Sequence, residues 1–357
     1  MQNTNFTIAV YPGDGIGIEI MATAEAVLKA AQSKVGGFSL SLDTYSAGAA
    51  HYQKYKEDIA AADFNAGGDA DAILLGAMGL PSVRYPDGTE IAPHLRMRTA
   101  YELYAGLRPV KTFANAPGPL GSPRAADIDM IIVRESTEGL FASLNGGSRV
   151  TETEASETMT LTRSVCERLF DQSFRLAQAR KAKGGKGEVT CVDKSNVFPA
   201  FAFFRRIFDE RAEAFPNIAR RYSYVDAMAL DMVRKPWDFD VLVMENMFGD
   251  IISDLGAGIV GSMGLAPCAE LGDRHGLFQP AHGSAPDIAG QGVANPTAMI
   301  LSAAMMLDWL GRQHDVPQCV EAASLIEGFA DGAIRPHEFG GNTGTVEIGE
   351  AVVARMG

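Results

Sequence analysis

Phe239-Asp240-Val241-Leu242-Val243-Met244, followed at once by Glu245-Asn246-Met247-Phe248-Gly249-Asp250-Ile251-Ile252-Ser253-Asp254, is the stretch on which the reading of the fold turns. The first six residues form an apolar run that reads as a buried strand. If the next ten are helical, Asp250 and Asp254 project from one face. Two like charges at that spacing cost a helix roughly a few tenths of a kcal/mol unless a cation lies between them. Hard divalent cations such as Mg²⁺ and Mn²⁺ take oxygen ligands of this kind. The pair stands just past a strand end, where open α/β sheets place their ligands. The alternative is a solvated helix face that happens to carry two acids.

Working outward, the same strand-then-polar pattern recurs. Thr7–Tyr11 is a short β-rich run ending in Pro12-Gly13-Asp14-Gly15-Ile16-Gly17, with a helix expected from about Glu19 to Ala31. Ala72–Leu75, Met130–Val133 and Val189–Val192 read as further strands, and Ser164–Arg180, Ala200–Phe208 and Pro296–Leu310 as helices. Strands alternating with helices predict an α/β protein with a mainly parallel sheet. Lys181–Gly187 reads as a surface loop, and no internal repeat is visible.

The chain has 357 residues, which predicts one large or two ordinary domains. Hydrophobic content of 46% and charged content of 21% are those of a soluble globular enzyme. A net charge of −13 argues against nucleic acid or an anionic membrane as the main partner, although local arginines can still hold an anionic substrate. Cys166, Cys191, Cys268 and Cys319 are scattered without CxxC spacing, as expected of reduced thiols rather than a disulfide frame or zinc site. With no leader-like opening and no apolar run of spanning length, a cytoplasmic location is expected.

Gly13-Asp14-Gly15-Ile16-Gly17 has G-x-G-x-G spacing, and Ile18 stands where a dinucleotide fingerprint needs its last glycine. The turn either offers backbone N–H groups to a ligand or is simply tight. Arg98, Arg108 and Arg134 are anion-binding candidates, because guanidinium forks suit a di- or tricarboxylate. Each also fits an ordinary salt bridge. Lys194 follows a strand and is a candidate base, or else the ion-pair partner of Asp193. Asp226 is a candidate third metal ligand. The small-residue loop Ala281–Gly290 suits an adenine ribose, with Asp287 favouring NAD⁺ over NADP⁺ by repelling a 2′-phosphate.

Taken together, GDGIG, LRPV (107–110), VREST (133–137), DKSNV (193–197), VDAMAL (225–230), NMFGDIISD (246–254) and HGSAPDIAG (282–290) resemble the β-decarboxylating dehydrogenases, the isocitrate/3-isopropylmalate dehydrogenase family. The motifs run in family order over nearly the whole chain, and HGSAPDIAG is similar to the isopropylmalate branch. The resemblance implies an isopropylmalate dehydrogenase-like two-domain α/β fold with mixed sheets, not a conventional Rossmann fold. One discontinuous domain would comprise 1–103 plus 262–357 on the cofactor side. The other, 104–261, would carry substrate, metal and dimerisation, with the active site between the two.

The resemblance also implies residue roles in a homodimer with shared active sites, Lys194 and Asp226 reaching the neighbouring subunit. Asp250, Asp254 and the neighbour's Asp226 would hold Mg²⁺ or Mn²⁺. Arg98, Arg108 and Arg134 would bind substrate carboxylate, and Lys194 would take the C2 hydroxyl proton as hydride passes to NAD⁺. Asn196 would lie toward the nicotinamide. His282, Gly283, Ser284, Ala285, Asp287, Ile288 and Asn295 would form the rest of the cofactor site.

Three departures limit what carries over from the family. Phe141 replaces the family tyrosine that helps reprotonate the product, and a phenyl ring donates no proton. His94 and Leu95 stand where the isopropylmalate enzymes have two leucines against the isopropyl group, and Arg96 adds a charge beside them. Gln279 replaces a family glutamate. The expectation is NAD- and Mg/Mn-dependent oxidation, with decarboxylation, of a 3-isopropylmalate-like 2-hydroxy acid. Tartrate, D-malate, isocitrate and homoisocitrate are the alternatives, and a non-catalytic or regulatory ligand-binding paralogue is the alternative of another class.

Overall fold

Val241–Met244 is buried at every position, as an inner strand of a parallel sheet must be. It is one of a series of such strands in a computed structural model that describes residues 4–113, 116, 118–328 and 335–356. Along the chain run β1 (Thr4–Gly13), α1 (Gly17–Val35), β2 (Phe38–Thr44), α2 (Ala49–Tyr55), α3 (Ala61–Asp69), β3 (Ala72–Ala77) and α4 (Pro93–Ala100). Then come β4 (Ala105–Lys111), β5 (Asp129–Glu135), the short hairpin β6 (Arg149–Val150) and β7 (Ala155–Ser156), and α5 (Arg163–Ala182). The middle closes with β8 (Glu188–Asp193), α6 (Pro199–Ala212), β9 (Ala219–Tyr224), α7 (Val225–Arg234), β10 (Val241–Met244) and α8 (Asn246–Val260). The last part holds β11 (Pro267–Leu271), β12 (Gly276–Pro280), α9 (Thr297–Gln313), α10 (Pro317–Glu327) and α11 (Thr345–Arg355).

These elements divide into two compact units. One takes the described residues of Met1–Tyr101, Phe113–Pro117 and Ser262–Gly357, so it is built from both ends of the chain. The other takes Glu102–Thr112 and Gly118–Gly261. In the first unit the strand order is β2-β1-β3-β12-β11, parallel except for the antiparallel pair β11–β12. In the second it is β4-β5-β10-β8-β9, parallel except for β4–β5. Neither is the order of a conventional Rossmann sheet. The sheets are mixed and the fold is of the isopropylmalate dehydrogenase type.

Hydrophobic spacing explains the helices. In α1 the buried residues Ile20, Met21, Ala24, Val27, Leu28 and Ala31 recur at the helical period and form one apolar stripe. α9 is buried on nearly all sides, so it is an interior helix of its unit. α5 runs beyond the expected Arg180 to Ala182, which puts Lys181 in a helical last turn rather than a loop. Cations are favourable there, and Lys181 Nζ also donates to the carbonyl of Asn217 at 2.6 Å.

The glycine turn after β1 resolves as a packing device. The N–H groups of Asp14, Ile16 and Gly17 donate to the carbonyls of Ala77, Ser284 and Asp14, so they are not turned toward a ligand. Gly15 has φ of 55°, and a Cβ there would lie 2.1 Å from the Ser284 carbonyl oxygen. The buried Asp14 carboxylate accepts from the N–H groups of Ala49, Ala50 and Gly79. Gly15→Ala is therefore expected to lower unfolding stability by about 2–4 kcal/mol, from left-handed strain plus the collision. Urea unfolding checks this, and an unchanged midpoint would contradict the packing argument.

Candidate functional site

The helix that carries the aspartate pair starts on its own cap. Glu245, itself buried, accepts from the N–H groups of Met247 (3.2 Å) and Phe248 (3.3 Å) and so satisfies two of the orphan donors of α8. Burial holds the Glu245 carboxyl above its usual range, and those two N–H groups act against the rise. Gly249 and Gly256 face inward. A Cβ on Gly249 would lie 2.6 Å from the Cβ and Cγ of Arg134, and one on Gly256 would lie 2.7 Å from Val110. α8 thus lies directly on β5 and β4. Its outer face exposes Asp250 and Asp254 one turn apart.

Beneath that face are two arginines. Arg134 is the penultimate residue of β5 and is 2% exposed. Its Nε donates to Asn246 Oδ1 at 2.9 Å, its Nη1 pairs with Asp250, and its guanidinium lies 5.2 Å from the centre of the Phe141 ring. Arg108, on β4, is buried as well. Burial and the charge of Asp250 raise the pKa of Asp254, while Arg108 and Arg134 pull it down. Arg108, Arg134, Asp250, Asp254 and Phe141 therefore form one group within the second unit.

Lys194 and Asp226 form another. The strands that precede them, β8 and β9, are parallel neighbours, so both residues sit at the same end of the sheet, and Lys194 Nζ pairs with Asp226. That hydrogen bond holds the Asp226 carboxyl below its usual range. The expected alternative, a pair with Asp193, does not form. Asp193 is fully buried and grips Arg205 at 2.6 and 2.8 Å. Among the described residues no three metal-ligating side chains cluster, so one chain brings together Asp250 and Asp254 but not Asp226. Asn196 is exposed just after Lys194.

The remaining expected residues lie in the first unit. Arg98, on α4, is 4% exposed and pairs with the fully buried Glu270 at 2.9 Å. His94 shares the Arg98 face of that helix at i, i+4, with Leu95 one residue on, and both are half-buried. Arg96 points elsewhere: it pairs with Asp58 at 3.1 Å and stacks on Phe64, so its charge is not on the His94 face.

In the Ala281–Gly290 loop, Ser284 turns inward and its hydroxyl donates to the Gly79 carbonyl. The ring of His282 donates from Nδ1 to the Gly283 carbonyl at 2.9 Å, and burial lowers its pKa. Asn295 is buried, holding Glu338 and accepting from Thr297 N–H at 3.1 Å. Gly283 and Asp287 are exposed, and Ala285 and Ile288 are partly so. Gln279 is buried on β12.

The strand order and the paired arginines and aspartates at the strand ends define the class, an α/β fold of the isocitrate/isopropylmalate kind. The chain belongs to the isocitrate/isopropylmalate dehydrogenase family, whose model matches residues 7–352. It is 39% identical over 350 residues to the 3-isopropylmalate/3-methylmalate dehydrogenase of Methanocaldococcus jannaschii, covering 98% of each protein. It is 39% identical over 371 residues to the 3-isopropylmalate dehydrogenase of Pseudoalteromonas translucida, covering 100% of each. Its fold matches the crystal structure of isocitrate dehydrogenase from Methylococcus capsulatus with a TM-score of 0.83 at 33% identity, over 98% of this chain and 99% of that one.

Sequence reading missed Glu135, which follows Arg134. It is fully buried and accepts from Thr137 N–H, Thr137 Oγ1 and Glu138 N–H, and burial pushes its pKa up to about 7. An acid with a raised folded pKa contributes most stability below its unfolded value and loses that contribution as pH rises through 7. Glu135→Gln should therefore gain stability relative to wild type between pH 4.5 and 8, by about 3 kcal/mol at most. Unfolding free energies across that range test it; a pH-independent difference would contradict the buried-acid account.

Proposed function

We propose that the chain is an NAD⁺- and divalent-metal-dependent dehydrogenase that oxidises and decarboxylates a malate-type 2-hydroxy acid of the 3-isopropylmalate kind. The observation that carries this reading is the group on α8 and β5, where two exposed carboxylates one turn apart stand over two buried arginines. The donor set fits a hard cation, since both ligands are carboxylate oxygens and each raises the other's need for positive charge. Asp250 and Asp254 would hold Mg²⁺ or Mn²⁺. A cation held there would supply Lewis acidity to the reaction.

Arg108 and Arg134, with Arg98 by family likeness, bind substrate carboxylate through their guanidinium forks. Lys194 takes the proton from the C2 hydroxyl, and NAD⁺, when bound, would serve as the hydride acceptor. After CO₂ leaves C3, a proton must return there, and Phe141 has none to give. Water or the protonated Lys194 serves instead. Asp287, exposed on its loop, supports NAD⁺ over NADP⁺. Gly283, Ala285, Ile288 and Asn196 line the same cofactor in this reading.

The working form is a homodimer. Lys194 and Asp226 pair apart from Asp250 and Asp254, which supports a reading in which a second copy brings them to the metal carboxylates. α7 exposes Leu230 and Val233, and its neighbour α8 exposes Met247 and Ile251, an apolar surface suited to that contact. One observation favours a more polar substrate. His94 rather than leucine shares the α4 face with Arg98, which suits tartrate, D-malate or a tricarboxylate.

The deciding experiment is a panel of 2-hydroxy acids with Mn²⁺ and NAD⁺ or NADP⁺, with CO₂ measured beside reduced cofactor. Turnover of 3-isopropylmalate with NAD⁺ is expected; silence on every acid would sink the enzyme reading. Asp250→Asn should abolish metal-dependent turnover in a folded protein, and retained activity would remove the metal assignment. Phe141→Tyr should raise the ratio of CO₂ to NADH, while an unchanged ratio would show that another donor already serves.

A further inference from the structure

We propose that Asn246 is a positioning residue for Arg134, setting the direction in which that guanidinium meets the substrate carboxylate; this rests on the substrate-binding reading of Arg134. Asn246 is the first residue of α8 and is fully buried. Both halves of its amide have partners of one kind only. Arg134 Nε can only donate, so it must meet Oδ1, at 2.9 Å; the carbonyl of Glu138 can only accept, so it must meet Nδ2, at 3.0 Å. The amide cannot flip without losing both bonds. One side chain thus joins three segments: the end of β5, the turn after it, and the start of α8.

The arginine stem is confined as well. Gly249 leaves room for nothing larger than hydrogen above the Cβ and Cγ of Arg134, and Phe141 lies against the guanidinium face. A guanidinium gripped at Nε has its Nη edge turned in a set direction. That edge is the one that meets carboxylate, as its pairing with Asp250 shows. Phe141 thereby gains a role that needs no hydroxyl: its face packs against the cation that Asn246 aims.

A double-mutant cycle tests this, with dissociation constants measured by calorimetry in Mn²⁺ using 3-isopropylmalate and malate as probes. Asn246→Ala should weaken binding about tenfold, the worth of one hydrogen bond to a charged group. Arg134→Ala should weaken it at least as much. The double variant should match Arg134→Ala within about twofold, because Asn246 acts only through Arg134. If Asn246→Ala does not fold, Asn246→Ser replaces it, since serine suits a helix start but falls short of Arg134. Multiplying losses, or an unaffected Asn246 variant beside a weakened Arg134 variant, would overturn the proposal alone. An unaffected Arg134→Ala would overturn the reading of Arg134 and the proposal with it.

Discussion

Burying the guanidinium of Arg134 is the constraint from which the rest of the second unit's site follows. A desolvated cation is tolerated only where hydrogen bonds and counter-charge surround it. The run Asn246-Met247-Phe248-Gly249-Asp250 supplies these within one and a half helical turns. Asn246 accepts at Nε, Gly249 lets the stem pass under the helix, and Asp250 provides the opposite charge. Phe248 stacks on Phe201 at 4.8 Å, which holds that first turn against α6. The residue types in this motif are therefore demanded by the arginine beneath them as much as by any ligand above.

The same logic separates the parts of the site that sequence spacing reveals from those it hides. The strand–helix junction at 239–254 was readable because its apolar run and its i, i+4 acids have local periods. The partner of Lys194 was not, since Asp226 lies 32 residues away and the two meet only through the β8–β9 register. Spacing pointed to adjacent Asp193, but that carboxylate already binds Arg205. Likewise the spacing of the glycines at 13–17 fits a ligand cradle or a tight turn equally, and only the distant Ser284 packed across them decides for the turn. Arg96 and His94 look alike as charged neighbours in sequence, yet two residues along a helix place them on opposite sides.

The first unit shows a second buried cation handled differently. Arg98 is neutralised by Glu270, an acid on β11 with no exposed surface. A fully buried pair of this kind contributes little net stability but is costly to break from one side. Its effect is to fix Arg98 in place on α4. His94 lies half-buried on the same helix face.

Charge counting links these arrangements to the substrate. Arg108 and Arg134 contribute two positive charges to the second unit's site, and Asp250 and Asp254 contribute two negative ones, so the group is formally neutral. The pair Lys194 and Asp226 cancels in the same way. A protein with a net charge of −13 thus keeps this site from repelling anions without making it strongly attractive. On the proposed reading a divalent cation brings two uncompensated positive charges, which match the two carboxylates of a malate-type acid. A tricarboxylate would bring one negative charge more than that cation supplies, and neutralising it would take a further cation.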